Sequence, residues 1–189
     1  MYINPQTGLL QQAQFIASPN VDERPGQIAP ELIVVHNISL PPNQFGGPYI
    51  EQLFTNQLNP ADHPYFAEIK HLQVSAHVLI RRDGSLLQFV PFHQRAWHAG
   101  KSSWRGRERC NDFSIGIELE GADDVPYEVV QYQQLAQLIK ALLDCYRTID
   151  ANAITGHSDI APGRKSDPGD AFNWDTLHQL IGASKNSKF

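Results

Sequence analysis

Leu32-Ile33-Val34-Val35 is a run of four apolar residues, three of them β-branched, and it ends on His36-Asn37. Such a run reads as a buried strand. Pro41-Pro42 and Phe45-Gly46-Gly47-Pro48 follow it, which is loop chemistry. A strand that stops on a histidine beside a Gly/Pro-rich loop can offer that imidazole to a cleft. A lone histidine so placed is more often a satisfied core residue. The balance changes much later in the chain, at Thr155-Gly156-His157-Ser158-Asp159 and Gly163-Arg164-Lys165-Ser166-Asp167-Pro168-Gly169. There a second short apolar run, Ala153-Ile154-Thr155-Gly156, reads as a strand that also ends on a histidine, with an aspartate ten residues beyond it.

The remaining elements frame these two. Ser75 to Val90 holds two apolar runs around Asp83-Gly84, the dipeptide that takes the positive φ values of a tight hairpin. Phe113 to Gly121 alternates strictly: Phe113, Ile115, Ile117 and Leu119 face one way, and Ser114, Gly116, Glu118 and Glu120 the other. Gly116 leaves space beside Glu118 that a ligand can occupy, and Glu120 fits a solvated strand-face glutamate. Val125-Pro126-Tyr127-Glu128 opens a long helix with Pro126 in its first turn. Tyr132, Leu135, Ala136, Ile139, Leu142, Leu143 and Tyr146 give it an apolar stripe that faces the core. Gly8 to Ile16 reads as a short amphipathic helix, Tyr49 to Phe54 as another, and Trp174 to Ile181 as the last. Residues 58–72 lack a clean period and read as a long loop with one helical turn. That loop and Phe45-Gly46-Gly47-Pro48 are the candidates for movement. Ser184 to Phe189 reads as a frayed tail.

Composition excludes some classes. A length of 189 residues suits one domain with a sizeable core, and a net charge of −5 without a basic run argues against nucleic acid as the partner. No apolar stretch approaches a membrane span, and Met1-Tyr2-Ile3-Asn4-Pro5 begins no signal peptide. Cys110 and Cys145 share no close motif and fit reduced thiols. The expectation is a cytoplasmic protein that needs no membrane.

Adjacent strand ends bring His36, His157 and Asp167 together. Two neutral imidazoles and a carboxylate suit Zn²⁺ and leave its fourth tetrahedral position open, as hydrolysis needs. Spacing alone is weak support, because eight histidines offer accidental constellations. Glu118, beside a glycine on a central strand, is placed like a general base. Lys165, two residues before Asp167, is tethered close enough to donate to an oxyanion. The bland alternatives are a solvated glutamate and a surface lysine.

Several motifs, in order, resemble the zinc N-acetylmuramoyl-L-alanine amidases of the type 2 family. They are Val34-Val35-His36-Asn37-Ile38-Ser39-Leu40-Pro41-Pro42, Ser75-Ala76-His77, Arg81-Arg82-Asp83-Gly84, Ala96-Trp97-His98-Ala99-Gly100, Asn111 to Glu118, Gly156-His157 and Arg164-Lys165-Ser166-Asp167-Pro168-Gly169. The similarity covers residues 7–182. It implies an α/β fold, a central mixed β-sheet flanked by helices in a single domain spanning 1–189, as in phage T7 lysozyme and peptidoglycan-recognition proteins. It implies zinc on His36, His157 and Asp167, Glu118 as general base and Lys165 as stabiliser of the tetrahedral intermediate. It further implies a soluble anhydro-muropeptide substrate, cut between the lactyl group of muramic acid and L-alanine in cytoplasmic peptidoglycan recycling, by a monomer.

Substrate contacts are expected at Asn37, which can pair with sugar or peptide, at Trp97 as a flat wall for a sugar ring, at His98 lining the cleft, and at Arg109 as a partner for a stem-peptide carboxylate. The family pattern places arginine where this chain has Gln73. His77 reads as a buried or supporting residue, and His63, His71, His93 and His178 as non-ligands. Two other classes compete: a non-catalytic muropeptide-binding module, and an amidase acting on intact peptidoglycan.

Overall fold

The computed structural model describes residues 1–182, and the tail from Ser184 lies outside the described residues. Near the N-terminus, β1 (Ile3–Asn4) pairs with β2 (Leu9–Leu10), and β3 (Gln14–Phe15) follows. The amphipathic helix expected over 8–16 is therefore absent. Gly8, at φ +66°, turns the chain into extended segments, and its carbonyl accepts from Phe92 N–H and the Gln88 amide. Tertiary pairing here overrides a weak 3–4 residue spacing. The irregular run before the first histidine contains β4 (Val21–Asp22) and a 3-10 turn at Pro25–Gln27.

The central sheet has six strands. They are β3, β5 (Leu32–Ile38), β6 (Val78–Ile80), β7 (Leu86–Gln88), β11 (Ser114–Glu120) and β12 (Ile154–Gly156), in the order β12-β5-β11-β6-β7-β3. Between β7 and β11 lie β8 (Arg95–Ala96), paired with β4, and the small hairpin of β9 (Ser103–Trp104) and β10 (Arg107–Glu108). The pair β6–β7 is antiparallel and is the hairpin expected at Asp83-Gly84; the other sheet pairings are parallel, so the sheet is mixed.

Helices cover both faces. They are α1 (Tyr49–Phe54), α2 (Pro64–Ile69), α3 (Val129–Cys145), α4 (His157–Ile160) and α5 (Trp174–Ile181). Ile33 and Val35 of β5 and Ile115, Ile117 and Leu119 of β11 pack against Leu135, Ile139 and Leu142 of α3 and Leu177 of α5. On the far side, α1 and α2 bury Ile50, Phe54 and Phe66 against Leu79 and Phe89. Leu32 and Val34 pack with Ala99, Cys110, Phe113 and Ile160.

Three local readings change. Phe113 lies outside β11, capping a 3-10 turn, and joins Leu32 and Val34 rather than Ile115. Pro126 precedes α3, which starts after Glu128; the Glu128 and Gln131 side chains form a reciprocal capping box. Glu120 is buried, not solvated. It accepts from Gly46 N–H at 2.6 Å and from Arg82 N–H at 3.1 Å, and pairs with Arg81 at 3.0 Å. Arg81 also donates to Gly47 O at 2.8 Å and to Glu51, and Arg82 lies over the Phe45 ring, so the Phe45–Pro48 loop is tied down along its length.

Candidate active site

The strand pattern places the site. In β5, side chains alternate, so His36 projects on the face opposite Ile33 and Val35, away from α3. Glu118 of β11 is the register partner of His36, so both side chains leave the same face of neighbouring parallel strands. On the other side of β5, β12 ends at Gly156. His157 then opens α4 rather than closing a strand, with Asp159 accepting from Gly156 N–H at 2.9 Å and from the Thr155 hydroxyl at 2.7 Å. Asp167 comes from the following loop.

The three predicted ligands meet. His36 Nδ1, His157 Nδ1 and Asp167 Oδ2 form a triangle whose sides are each 3.0 Å. Ligand atoms of a tetrahedral zinc lie about 3.3 Å apart, so the triangle has the size a small cation needs. Proton accounting points the same way. The second nitrogen of His157, Nε2, lies 3.1 Å from Ala99 O, which can only accept. Nε2 therefore carries the proton, and Nδ1 turns a bare lone pair towards the carboxylate. His36 shows the same state through a chain described below. Three acceptors facing each other inside 3.0 Å repel, and a cation between them removes the conflict.

Charge states agree with this. Burial lowers the pKa of His36 to about 4, although the charge of the neighbouring Asp167 opposes that. Glu118 moves the other way: burial first, then the Asp167 charge, push its pKa well above 4.5, against the pull of Lys165. Its Oε2 is buried without a hydrogen-bond partner among the described residues. A buried carboxylate with one free oxygen and a raised pKa has the properties of a general base.

A cleft of about 840 Å³ opens over these groups and is lined by His36, Asn37, His98, Glu118, His157, Lys165 and Asp167, with α1 and α2 residues forming its far wall. Lys165 lines the cleft and is exposed. The predicted contact residues divide. Asn37 lines the cleft, but its amide donates to Asp123 at 2.8 Å and to Pro168 O at 3.1 Å. His98 is in the cleft, with both ring nitrogens engaged by His36 and Ser114. Trp97 and Arg109 are not among the cleft-lining residues. Trp97 is half-buried, and Arg109 pairs with Asp112 at 3.3 Å beside a second, separate hollow. Gln73 is exposed.

The space beside Gly116, expected to receive a ligand, is filled by His98: a Cβ there would lie 2.3 Å from the ring. Glycine inside a strand marks a close approach, and that is the signal by which His98 was detectable. His77 is buried, as expected. Its Nδ1 accepts from Gly116 N–H at 3.0 Å and its Nε2 donates to Gln94 O at 3.1 Å. Two supports carried no sequence signal. Arg24, 3% exposed, donates to four carbonyls including Ser114 O at 2.9 Å. Asn111 Oδ1 accepts from His98 N–H at 3.1 Å and Ala99 N–H at 2.7 Å, which fixes the loop carrying His98.

A mixed sheet with helices on both faces, two histidines and an aspartate converging at the ends of β5 and β12, and an unpartnered glutamate beside them outline a candidate metal centre with a basic carboxylate next to it. The sequence model of the N-acetylmuramoyl-L-alanine amidase family matches residues 26–170, and the chain belongs to that family and is an enzyme of that class. It is 59% identical over 176 residues to the 1,6-anhydro-N-acetylmuramyl-L-alanine amidase AmpD of Escherichia coli, covering 93% of this chain and 96% of that protein. The crystal structure of a selenomethionine AmpD derivative superposes with a TM-score of 0.93 at 57% identity, covering 96% of this chain and 99% of the other. A structure of Escherichia coli AmiD in complex with the substrate anhydro-N-acetylmuramic acid-L-Ala-D-γ-Glu-L-Lys gives a TM-score of 0.57 at 32% identity, over 91% of this chain and 60% of that one.

Proposed function

We propose that the chain, as one domain over residues 1–189 and as a monomer, is a zinc-dependent amidase. Its reaction is hydrolysis of the amide between the lactyl group of 1,6-anhydro-N-acetylmuramic acid and the L-alanine of the stem peptide, in cytoplasmic recycling of peptidoglycan fragments. The names of its relatives support the substrate. No described helix is long and apolar enough to cross a membrane. The observation that carries the zinc assignment is the triangle of three inward-facing acceptors on His36, His157 and Asp167.

Zinc held by these three groups would supply Lewis acidity and acidify water in its open position. The rest falls to side chains. Glu118, buried beside the triangle with a free Oε2, takes the proton of the attacking water and passes it to the leaving L-alanine amine. Lys165 projects from the loop that carries Asp167 and donates to the oxyanion as the amide carbonyl becomes tetrahedral.

Mass spectrometry tests this. Protein as isolated, after chelation, and after zinc add-back is incubated with anhydro-muramyl tripeptide. Peptide release that stops on chelation and returns with zinc is the expected result. Release only from polymeric peptidoglycan would transfer the activity to intact wall, and tight binding without release would leave a recognition module.

A further inference from the structure

His98 was expected to touch substrate, yet both of its ring nitrogens are already used, and the direction of each hydrogen bond follows from the ends of the chain. The Ser114 hydroxyl lies 2.6 Å from Cys110 O, which can only accept, so the hydroxyl proton is spent there. His98 Nε2 is 3.1 Å from the same hydroxyl oxygen and must therefore donate to it. A neutral imidazole carries one proton, so with Nε2 donating to Ser114 the His98 Nδ1 is bare. His36 Nε2, 2.9 Å away, must then donate to that Nδ1. The neutral His36 ring has no second proton, and its Nδ1 lone pair points at His157 and Asp167.

We propose that His98 is a positioning residue: anchored by Ser114, it fixes His36 as the Nε2–H tautomer and aims the His36 Nδ1 lone pair at the metal. The inference rests on the zinc reading of the site. Gly116 completes the device, because a Cβ at that position would lie 2.3 Å from His98 Cγ and 2.5 Å from its Nδ1. Only glycine leaves the ring its seat between Ser114 and His36. The two ligands thus use parallel arrangements, with a backbone carbonyl behind His157 and an imidazole backed by a hydroxyl and a carbonyl behind His36. Partners of this kind set the orientation and basicity of ligating imidazoles.

The test is zinc affinity, measured by competition with a chromophoric chelator, together with ring-¹⁵N spectra of the metal-free protein. His98→Phe keeps an aromatic ring and removes both nitrogens. His98→Asn retains an acceptor near the Nδ1 position. Gly116→Ala displaces the ring without altering it. The expected result is zinc binding weakened ten- to a hundred-fold in His98→Phe and Gly116→Ala, with most of it restored in His98→Asn. In wild type, His36 and His98 are expected to show the Nε2–H tautomer pattern. Wild-type zinc binding that is unchanged in His98→Phe and Gly116→Ala overturns the proposal and leaves the zinc reading standing. A wild-type His36 spectrum of the Nδ1–H form also overturns it. A wild-type protein that fails to bind zinc overturns the zinc reading itself, and this proposal with it.

Discussion

Acid should destabilise this fold through a residue that takes no part in the chemistry. His77 is fully buried and its two nitrogens are fixed in opposite roles, accepting from Gly116 N–H and donating to Gln94 O. A proton on Nδ1 would face the Gly116 N–H, so the folded protein resists it. Burial, and then the Arg24 charge, lower the pKa of His77 from 6.5 to about 3. The unfolded chain binds a proton below pH 6.5 that the native chain refuses down to pH 3. The stability contributed by neutral His77 is therefore full above about pH 6.5 and is lost as pH falls towards 3. Linkage puts the loss at about 2 kcal/mol by pH 5 and about 4 kcal/mol by pH 3. His77→Asn keeps an acceptor for Gly116 N–H and cannot titrate. Urea unfolding of both proteins, in chelator so that metal release adds no pH dependence, isolates the effect. The variant should be less stable at pH 7.5, and its deficit should shrink by about 2 kcal/mol at pH 5. Equal pH slopes for the two proteins would refute the reasoning.

Three further outcomes follow from the geometry. Glu118→Gln should keep zinc binding and lose about 10²- to 10⁴-fold in peptide release, read by mass spectrometry, because the amide cannot accept the proton of water. Gly169→Ala forces a Cβ to 2.2 Å from Asp123 Cα at a φ of +79°. Because the clash is with backbone, it should cost about 2 kcal/mol or more in urea melts and weaken zinc binding through the displaced Asp167 loop. Arg81→Ala strips the counter-charge from Glu120, which is 2% exposed. About 3 kcal/mol of stability should be lost, and limited proteolysis should cut near Gly46-Gly47.

The elements that sequence reading located are those whose pattern is local. The β5 run, the Asp83-Gly84 hairpin, the alternation of β11 and the 3–4 residue stripe of α3 each carry their period within a few residues, and each forms. The N-terminal segment failed because Leu9, Leu10 and Phe15 take their conformation from distant partners, Ile3, Gln88 and Leu87 among them. The convergence of His36, His157 and Asp167 was legible because two histidines follow apolar runs whose parallel pairing puts their ends side by side. The supports behind the triad were not. Arg24 bonds carbonyls 68 to 90 positions away, and Asn111 is identifiable only once the loop at His98 is folded over it. Glu120 misled for a related reason. Alternation assigned it to an open face, but the loop at Gly46 covers that part of the sheet.

Asn37 shows how such hidden support bears on the metal site. It immediately follows one proposed ligand, His36, and donates to the carbonyl of Pro168, which immediately follows another, Asp167. The Tyr127 hydroxyl donates to the same carbonyl at 2.8 Å. Ser158, which follows the third ligand, donates its N–H to Asp167 O at 3.0 Å. The residue after each proposed ligand is therefore bonded to the Asp167-Pro168 segment or belongs to it, so the triangle is held by backbone and by groups that lie outside it. A site held in this way should resist the repulsion among its three acceptors before the cation arrives. Asn37→Ala removes one of these ties and also frees Asp123. Tyr127→Phe removes another and leaves the ring packed against Tyr132 and Phe172. Each lost hydrogen bond should cost about 1 kcal/mol of stability. The two losses should not add in zinc affinity, because either bond alone still holds Pro168 O. The double variant should therefore bind zinc more weakly than the product of the single effects, a coupling that chelator competition on the four proteins measures directly. Additive effects would mean that the two bonds act on separate parts of the loop.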